Sequence, residues 1–258
     1  VFGTPFAAWI FVLEVILTRL CIKAIAPVLI SSVTAFLFAT LLKVHPERFN
    51  IGDLPQLSLS LVWKTAVIML AGIVASFLFC KGLSLGKAFT KKYLKNEFLR
   101  IAIGGVIIIA LTLLVGNYDY NGGGVNIIER IFNQGIVRYE AFALKMIFTI
   151  ICVSVGFKGG EIIPTLFIGA TLGGALALIL GLPIGIGAAI GMAVLFTTAT
   201  KCPIATILLC GEMFGIYCLP LIIPVTVISF ILSHKLTGLY SNSKDYFEII
   251  KKLKKERV

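Results

Sequence analysis

Long apolar runs, with the charges clustered between them, constrain this chain more than any other feature. Lipid offers no water to the backbone, so N–H and C=O groups at membrane depth must be paired within the protein. Apolar runs approaching about 20 residues therefore read as spanning helices. Of the 258 residues, 59% are hydrophobic and 14% charged, and the mean hydropathy is +1.03, far above that of a soluble domain. The expected fold class is an all-α membrane protein.

The runs are uneven. Residues 5–16 form a short apolar segment opened by Pro5 and ending near Glu14. Residues 24–44 are long enough to span, 45–57 are polar and loop-like, and 58–80 span again, with a helix able to run on into the basic stretch Lys81 to Lys95. Residues 98–115 are apolar, 116–124 a Gly-rich loop, 125–134 a short amphipathic helix, and 138–156 a return through the membrane. Further apolar helices are expected at 164–181, 186–199, 203–216 and 219–234, then an amphipathic segment at 241–253. Several are too short to cross about 30 Å alone, and a mixture of long tilted and short broken helices is typical of transporters. Gly169, Gly173 and Gly174, like Gly185, Gly187 and Gly191, form small-residue faces whose default role is close helix packing.

One break carries chemistry. Gly159-Gly160-Glu161-Ile162-Ile163-Pro164 places a Gly pair, a carboxylate and a helix-opening Pro ahead of an apolar helix. Non-helical backbone at membrane depth persists only where protein buries it or water lines it. A helix N-terminus has unpaired N–H groups and partial positive charge, so it attracts anions. Half-helices aimed at an anionic substrate recur in transporters. A re-entrant turn with an interfacial Glu is the plainer alternative.

The net charge of +11 would suggest nucleic acid in a soluble protein. Here the basic residues flank apolar helices, so no nucleic-acid partner is expected. The loop 81–100 is basic and is placed on the cytoplasmic side together with the C-terminal Lys run. The expected location is multi-pass in the plasma (inner) membrane. The six cysteines show no CxxC spacing and the two histidines stand apart, so neither a metal site nor a cofactor is expected. No nucleophile, base or metal cluster converges, and an enzyme is not expected. Val1 leads directly into an apolar helix, which reads as a fragment lacking its N-terminal part.

The residues resemble the CLC family of chloride channels and anion/proton antiporters along the whole chain. Pro5 to Glu14 is similar to the family's short interface helix ending in an acid. Gly159 to Pro164 resembles its GxFxP anion motif. Cys202-Pro203 to Glu212-Met213 resembles a second interface helix, and Tyr240 stands where the family has a central tyrosine. Glu161 in Gly-Gly-Glu-x-x-Pro, with the Asn117-Tyr118-Asp119-Tyr120 loop, is similar to the fluoride/proton antiporter branch. Val15 falls where chloride/proton exchangers keep an internal proton-transfer Glu. Ile163 departs from the branch, which often has Thr there.

The resemblance implies a CLC-like bundle of tilted, broken and re-entrant helices. Residues 1–258 would be one partial transport domain, with the gating Glu and the first anion loop in the missing N-terminal part. It implies fluoride/proton antiport for fluoride export; the alternatives are a chloride channel, a chloride/proton exchanger or a non-transporting structural homologue. The implied anion-binding residues are Gly159, Gly160, Ile162, Ile163 and Tyr240, with Glu161 as the proton-coupling candidate. Glu14 and Glu212 would be structural at a homodimer interface built from 5–16, 24–44, 203–216 and 219–234.

Fluoride is small and strongly hydrated, so strong N–H or O–H donors must replace its water. The amides of Ile162 and Ile163 and the neutral Tyr240 phenol supply such donors. Burial would keep Glu161 protonated, able to donate or carry a proton; helix N-terminal stabilisation is its alternative role. Asp119 with Tyr118 and Tyr120 reads as a loop-ordering cluster.

Overall fold

The computed structural model describes residues 3–16, 22–44, 48–56, 58–236 and 238–239. Every regular element among them is helical, and they divide into two compact units: one from residues 1–50 and 196–258, the other from 51–195.

The first unit holds α1 (Pro5–Ile16), α2 (Ile22–Leu41), the last residues of α8 (Ile184–Thr200), α9 (Pro203–Phe214), a 3-10 turn (Ile216–Cys218) and α10 (Leu219–Ser233). Helices α1 and α9 lie antiparallel, and each ends in an acid that caps the other. The Glu14 carboxylate accepts from the N–H groups of Ile204 (3.1 Å) and Ala205 (2.7 Å). The Glu212 carboxylate accepts from Phe6 (3.2 Å) and Ala7 (2.8 Å). Helix α9 follows Cys202, which makes no side-chain cap hydrogen bond, so Glu14 does there the work a local cap ordinarily does. Helix α2 is tied to α1 by Ser32 Oγ, which donates to the Pro5 carbonyl, and by Trp9 Nε1, which donates to the Ile25 carbonyl. Lys201 joins α8 to α9 with a left-handed φ of 62°, and its buried amine donates to the Ser233 carbonyl at the end of α10.

The second unit holds α3 (Leu59–Tyr93), α4 (Glu97–Val115), α5 (Val125–Gln134), α6 (Ala141–Val155), α7 (Ile162–Leu180) and most of α8. Ser58 Oγ accepts from Leu61 N–H to open α3, and Asn96 Oδ1 accepts from Phe98 N–H to open α4. The 35 residues of α3 extend about 52 Å at 1.5 Å per residue, well beyond a hydrocarbon core of about 30 Å. The helix therefore carries its basic end clear of the apolar part, as the sequence allowed. Helix α5 is amphipathic and buries Ile127, Ile128 and Ile131.

Helices α4 and α7 show opposite surroundings. Only Gly104 and Thr112 of α4 are buried, while Val106, Ile109, Leu113 and Leu114 are exposed, as suits a helix meeting lipid. In α7 every residue from Pro164 to Ala175 is buried, as expected of a helix that is apolar all round. Its tightest neighbour is α8. A Cβ on Gly169 would stand 2.5 Å from the Gly191 carbonyl oxygen, and one on Gly187 would stand 2.7 Å from that of Gly173. The two backbones touch, so the glycines pack, as expected. Gly174 meets the side chains of Val137, Ile131 and Ile184, the last at the start of α8, and Gly185 meets the backbone of Ile51.

Among the described residues, four helices are long and apolar enough to cross a membrane: α3, α4, α7 and the turn-plus-helix Ile216–Ser233. Of the other expected spans, α2 has 20 residues (Ile22–Leu41) with Pro27 inside, and α6 has 15 residues (Ala141–Val155), shorter than the expected 138–156. The expected helix at 241–253 lies outside the described residues.

Candidate functional site

The site is built where α6 stops and α7 starts. Helix α6 ends at Val155, followed by Gly156 in the left-handed region (φ 105°), which turns the chain out of the helix. Two side chains satisfy its last carbonyls: Thr90 Oγ1 of α3 donates to Ser154 O, and Arg100 Nε of α4 donates to Val155 O at 3.0 Å. Phe157 to Gly160 are non-helical and exposed, and α7 begins at Ile162.

The first turn of α7 then leaves donors free. The earliest N–H groups of a helix have no intrahelical acceptor. Here they belong to Ile162 and Ile163, both half-buried, and the third position is Pro164, which has no N–H. Thr165 closes the turn, its N–H reaching the Glu161 carbonyl at 3.2 Å and its hydroxyl the same oxygen at 2.6 Å. Two adjacent N–H groups are thus presented at the positive end of a 19-residue helix. Proline stands at the third position rather than the first because Glu161 already has helical φ and ψ (−86°, −11°).

Glu161 does not cap this helix. Its carboxylate meets Lys87 Nζ of α3 at 3.0 Å, with the two side chains 18% and 47% exposed. Glu161 is thus half-buried and lies beside a cation at the site's edge. Neither Gly159 nor Gly160 has a left-handed φ, and a Cβ on either would meet nothing within 4 Å among the described residues. The backbone there does not need glycine, and space remains beside it.

The loop between α4 and α5 lies against the start of α7. A Cβ on Gly123 would sit 3.5 Å from Ile163 Cγ2, and one on Gly124 would clash with the Phe167 ring. Asp119 orders this loop, pairing with Arg130 (3.7 Å) and Arg138 (3.8 Å). Tyr120 is 2% exposed and packs on Phe148 and Phe167, and burial pushes its phenol above the ordinary range. Beneath it lies a residue that sequence reasoning overlooked. Lys145 of α6, 1% exposed, donates to the carbonyls of Tyr120 (3.0 Å) and Gly122 (2.6 Å) and stands 5.1 Å from the Phe167 ring centre. The available signal was one Lys in the middle of an apolar run.

Tyr240 lies outside the described residues; the N–H of its neighbour Leu239 donates to Ala199 O at 2.7 Å. Glu14 and Glu212 belong to the reciprocal caps of the first unit. Among the described residues no group of three or more His, Cys, Asp or Glu gathers as metal ligands would.

Residues 1–234 match the family described as voltage gated chloride channel. A protein of Pseudomonas syringae pv. tomato named chloride/fluoride channel protein is 34% identical over 248 residues, covering 92% of this chain and 53% of that one. The voltage-gated ClC-type chloride channel ClcB of Escherichia coli is 27% identical over 250 residues, covering 91% and 59%. The crystal structure of a CLC-type fluoride/proton antiporter superposes with a TM-score of 0.86 at 31% identity, covering 94% of this chain and 61% of that one. The chain spans little more than half the length of these relatives.

Proposed function

The chain belongs to the voltage-gated chloride channel family, and from that premise we propose that the protein containing it is a membrane anion transporter that exports fluoride in exchange for protons. The observation that carries this reading is the opening of α7, where the free N–H groups of Ile162 and Ile163 adjoin a carboxylate, Glu161. Such donors suit a strongly hydrated anion, and the carboxylate can carry the coupled proton. Likeness to a fluoride/proton antiporter structure supports fluoride as the anion, and likeness to a chloride/fluoride channel protein is consistent with it.

The roles assigned are these. The Ile162 and Ile163 amides bind the anion, with the backbone at Gly159 and Gly160 leaving it room. The Tyr240 phenol adds a neutral donor. Glu161 exchanges the proton. The orientation has the basic end of α3 and the C-terminus in the cytoplasm, where Lys residues favour anionic lipid. A homodimer forms through α1, α2, α9 and α10, whose exposed Ile30, Phe38, Leu41, Ile204, Ile223 and Ile231 provide an apolar surface.

Chloride transport is the second reading. It is favoured by Ile163, which has no side-chain hydroxyl to replace fluoride's water, and by the likeness to ClcB. Efflux of fluoride and of chloride from liposomes holding the complete protein separates the two. Fluoride leaving at least tenfold faster supports the first reading, and chloride leaving as fast or faster supports the second.

A further inference from the structure

We infer that Lys87 is a positioning residue that keeps the Glu161 carboxylate off the start of α7, so that the protein's own anion does not occupy the donors meant for the transported one. The inference rests on the anion reading above and adds a residue to it.

A carboxylate just before a helix is drawn to its N-terminus by the free N–H groups and the helix dipole. An N-cap side chain ordinarily accepts from the second or third helical N–H. In α7 the third residue is Pro164, so the N–H of Ile163 is the one remaining target. It is also one of the two donors presented to an anion. Left alone, Glu161 would cap its own helix and compete with the substrate. Instead its side chain makes no cap hydrogen bond and is held 3.0 Å from Lys87, which lies 74 residues away in sequence.

The other charged groups on neighbouring elements are engaged elsewhere or do not reach Glu161. Lys145 of α6 is bound to the Tyr120 and Gly122 carbonyls, and Arg130 of α5 pairs with Asp119. Arg100 of α4 holds the Val155 carbonyl, with Glu97 a turn before it. Lys91 on α3 and Lys158 in the linker make no ion pair with Glu161 within 4.0 Å among the described residues, and Glu129 on α5, an acid, cannot hold it. Lys87 is the cation that diverts it.

The test is titration of the purified complete protein with sodium fluoride, and separately with sodium chloride, by calorimetry across pH. The proteins are wild type, Lys87→Arg, Lys87→Gln, Glu161→Gln and the double variant Lys87→Gln/Glu161→Gln. Lys87→Gln is expected to weaken anion binding about tenfold where Glu161 is ionised, the scale of one hydrogen bond to a charged group. The loss should shrink as pH falls, because a protonated Glu161 no longer competes as an anion. Adding Glu161→Gln should abolish the loss, and Lys87→Arg should show none. Two outcomes overturn the inference alone, with the wild type still binding anion. One is unchanged affinity in Lys87→Gln. The other is a loss independent of pH that persists in the double variant, which would make Lys87 a direct ligand or a structural support. A wild type that binds neither ion overturns the anion reading, and this inference with it.

Discussion

Lys145 shows how a single side chain can hold a loop against the start of a helix. Its amine satisfies the carbonyls of Tyr120 and Gly122, and that loop packs on Ile163 and Phe167 of α7. Lys145→Met keeps the stem but leaves two carbonyls without their donor. A loss of about 2–4 kcal/mol is expected from the buried-unsatisfied cost, measured as a lower unfolding midpoint in detergent; an unchanged midpoint would mean that water replaces the amine. Glu161→Gln keeps the size of the side chain and removes its titration. It is expected to slow or uncouple proton movement while unfolding changes little, and paired proton and fluoride flux assays check this. At this scale the sequence was partly legible. The break at 159–164 and the acids at Glu14, Glu161 and Glu212 stand out because Gly, Pro and isolated charge are conspicuous in apolar sequence. The partners do not stand out. Lys87 is one of several lysines on one helix, and nothing local says that it meets a residue 74 positions on.

Helices are held here by two devices. The first is backbone contact between α7 and α8 through Gly169, Gly173, Gly187 and Gly191. Without hydrophobic drive between helices in lipid, such close packing is what holds them together. Gly173→Val would force the backbones apart. Overpacking of this kind costs about 1–3 kcal/mol or more, and the variant should lose its monodisperse gel-filtration peak or unfold earlier. The second device is the reciprocal capping of α1 and α9. Glu14→Ala strips the acceptor from the N–H groups of Ile204 and Ala205 and should cost about 1–3 kcal/mol, whereas Glu14→Gln, which keeps one acceptor oxygen, should cost less. Equal losses would show that the charge, not the hydrogen bonding, is what matters. Most helix positions were legible from apolar runs bounded by Gly, Pro and charge. Boundaries moved where tertiary partners decide them. Helix α7 starts at Ile162, two residues before the Pro that marks it in sequence, since Glu161 already has helical φ and ψ, and α6 starts at Ala141, after Arg138 and Glu140 have paired with each other.

For the whole molecule, composition alone settles the membrane class, since runs this apolar have no other home. The family then follows from a few motifs, and the match across residues 1–234 agrees with them. The ion is less legible, because the donors at Ile162 and Ile163 are backbone groups that every residue type offers. The claim is tested most directly with the complete protein in liposomes loaded with fluoride and set against an opposing proton gradient. The account predicts that fluoride efflux draws protons inward against that gradient, and that Glu161→Gln breaks this link. Fluoride leaving with no proton movement, or chloride driving protons equally well, would contradict it.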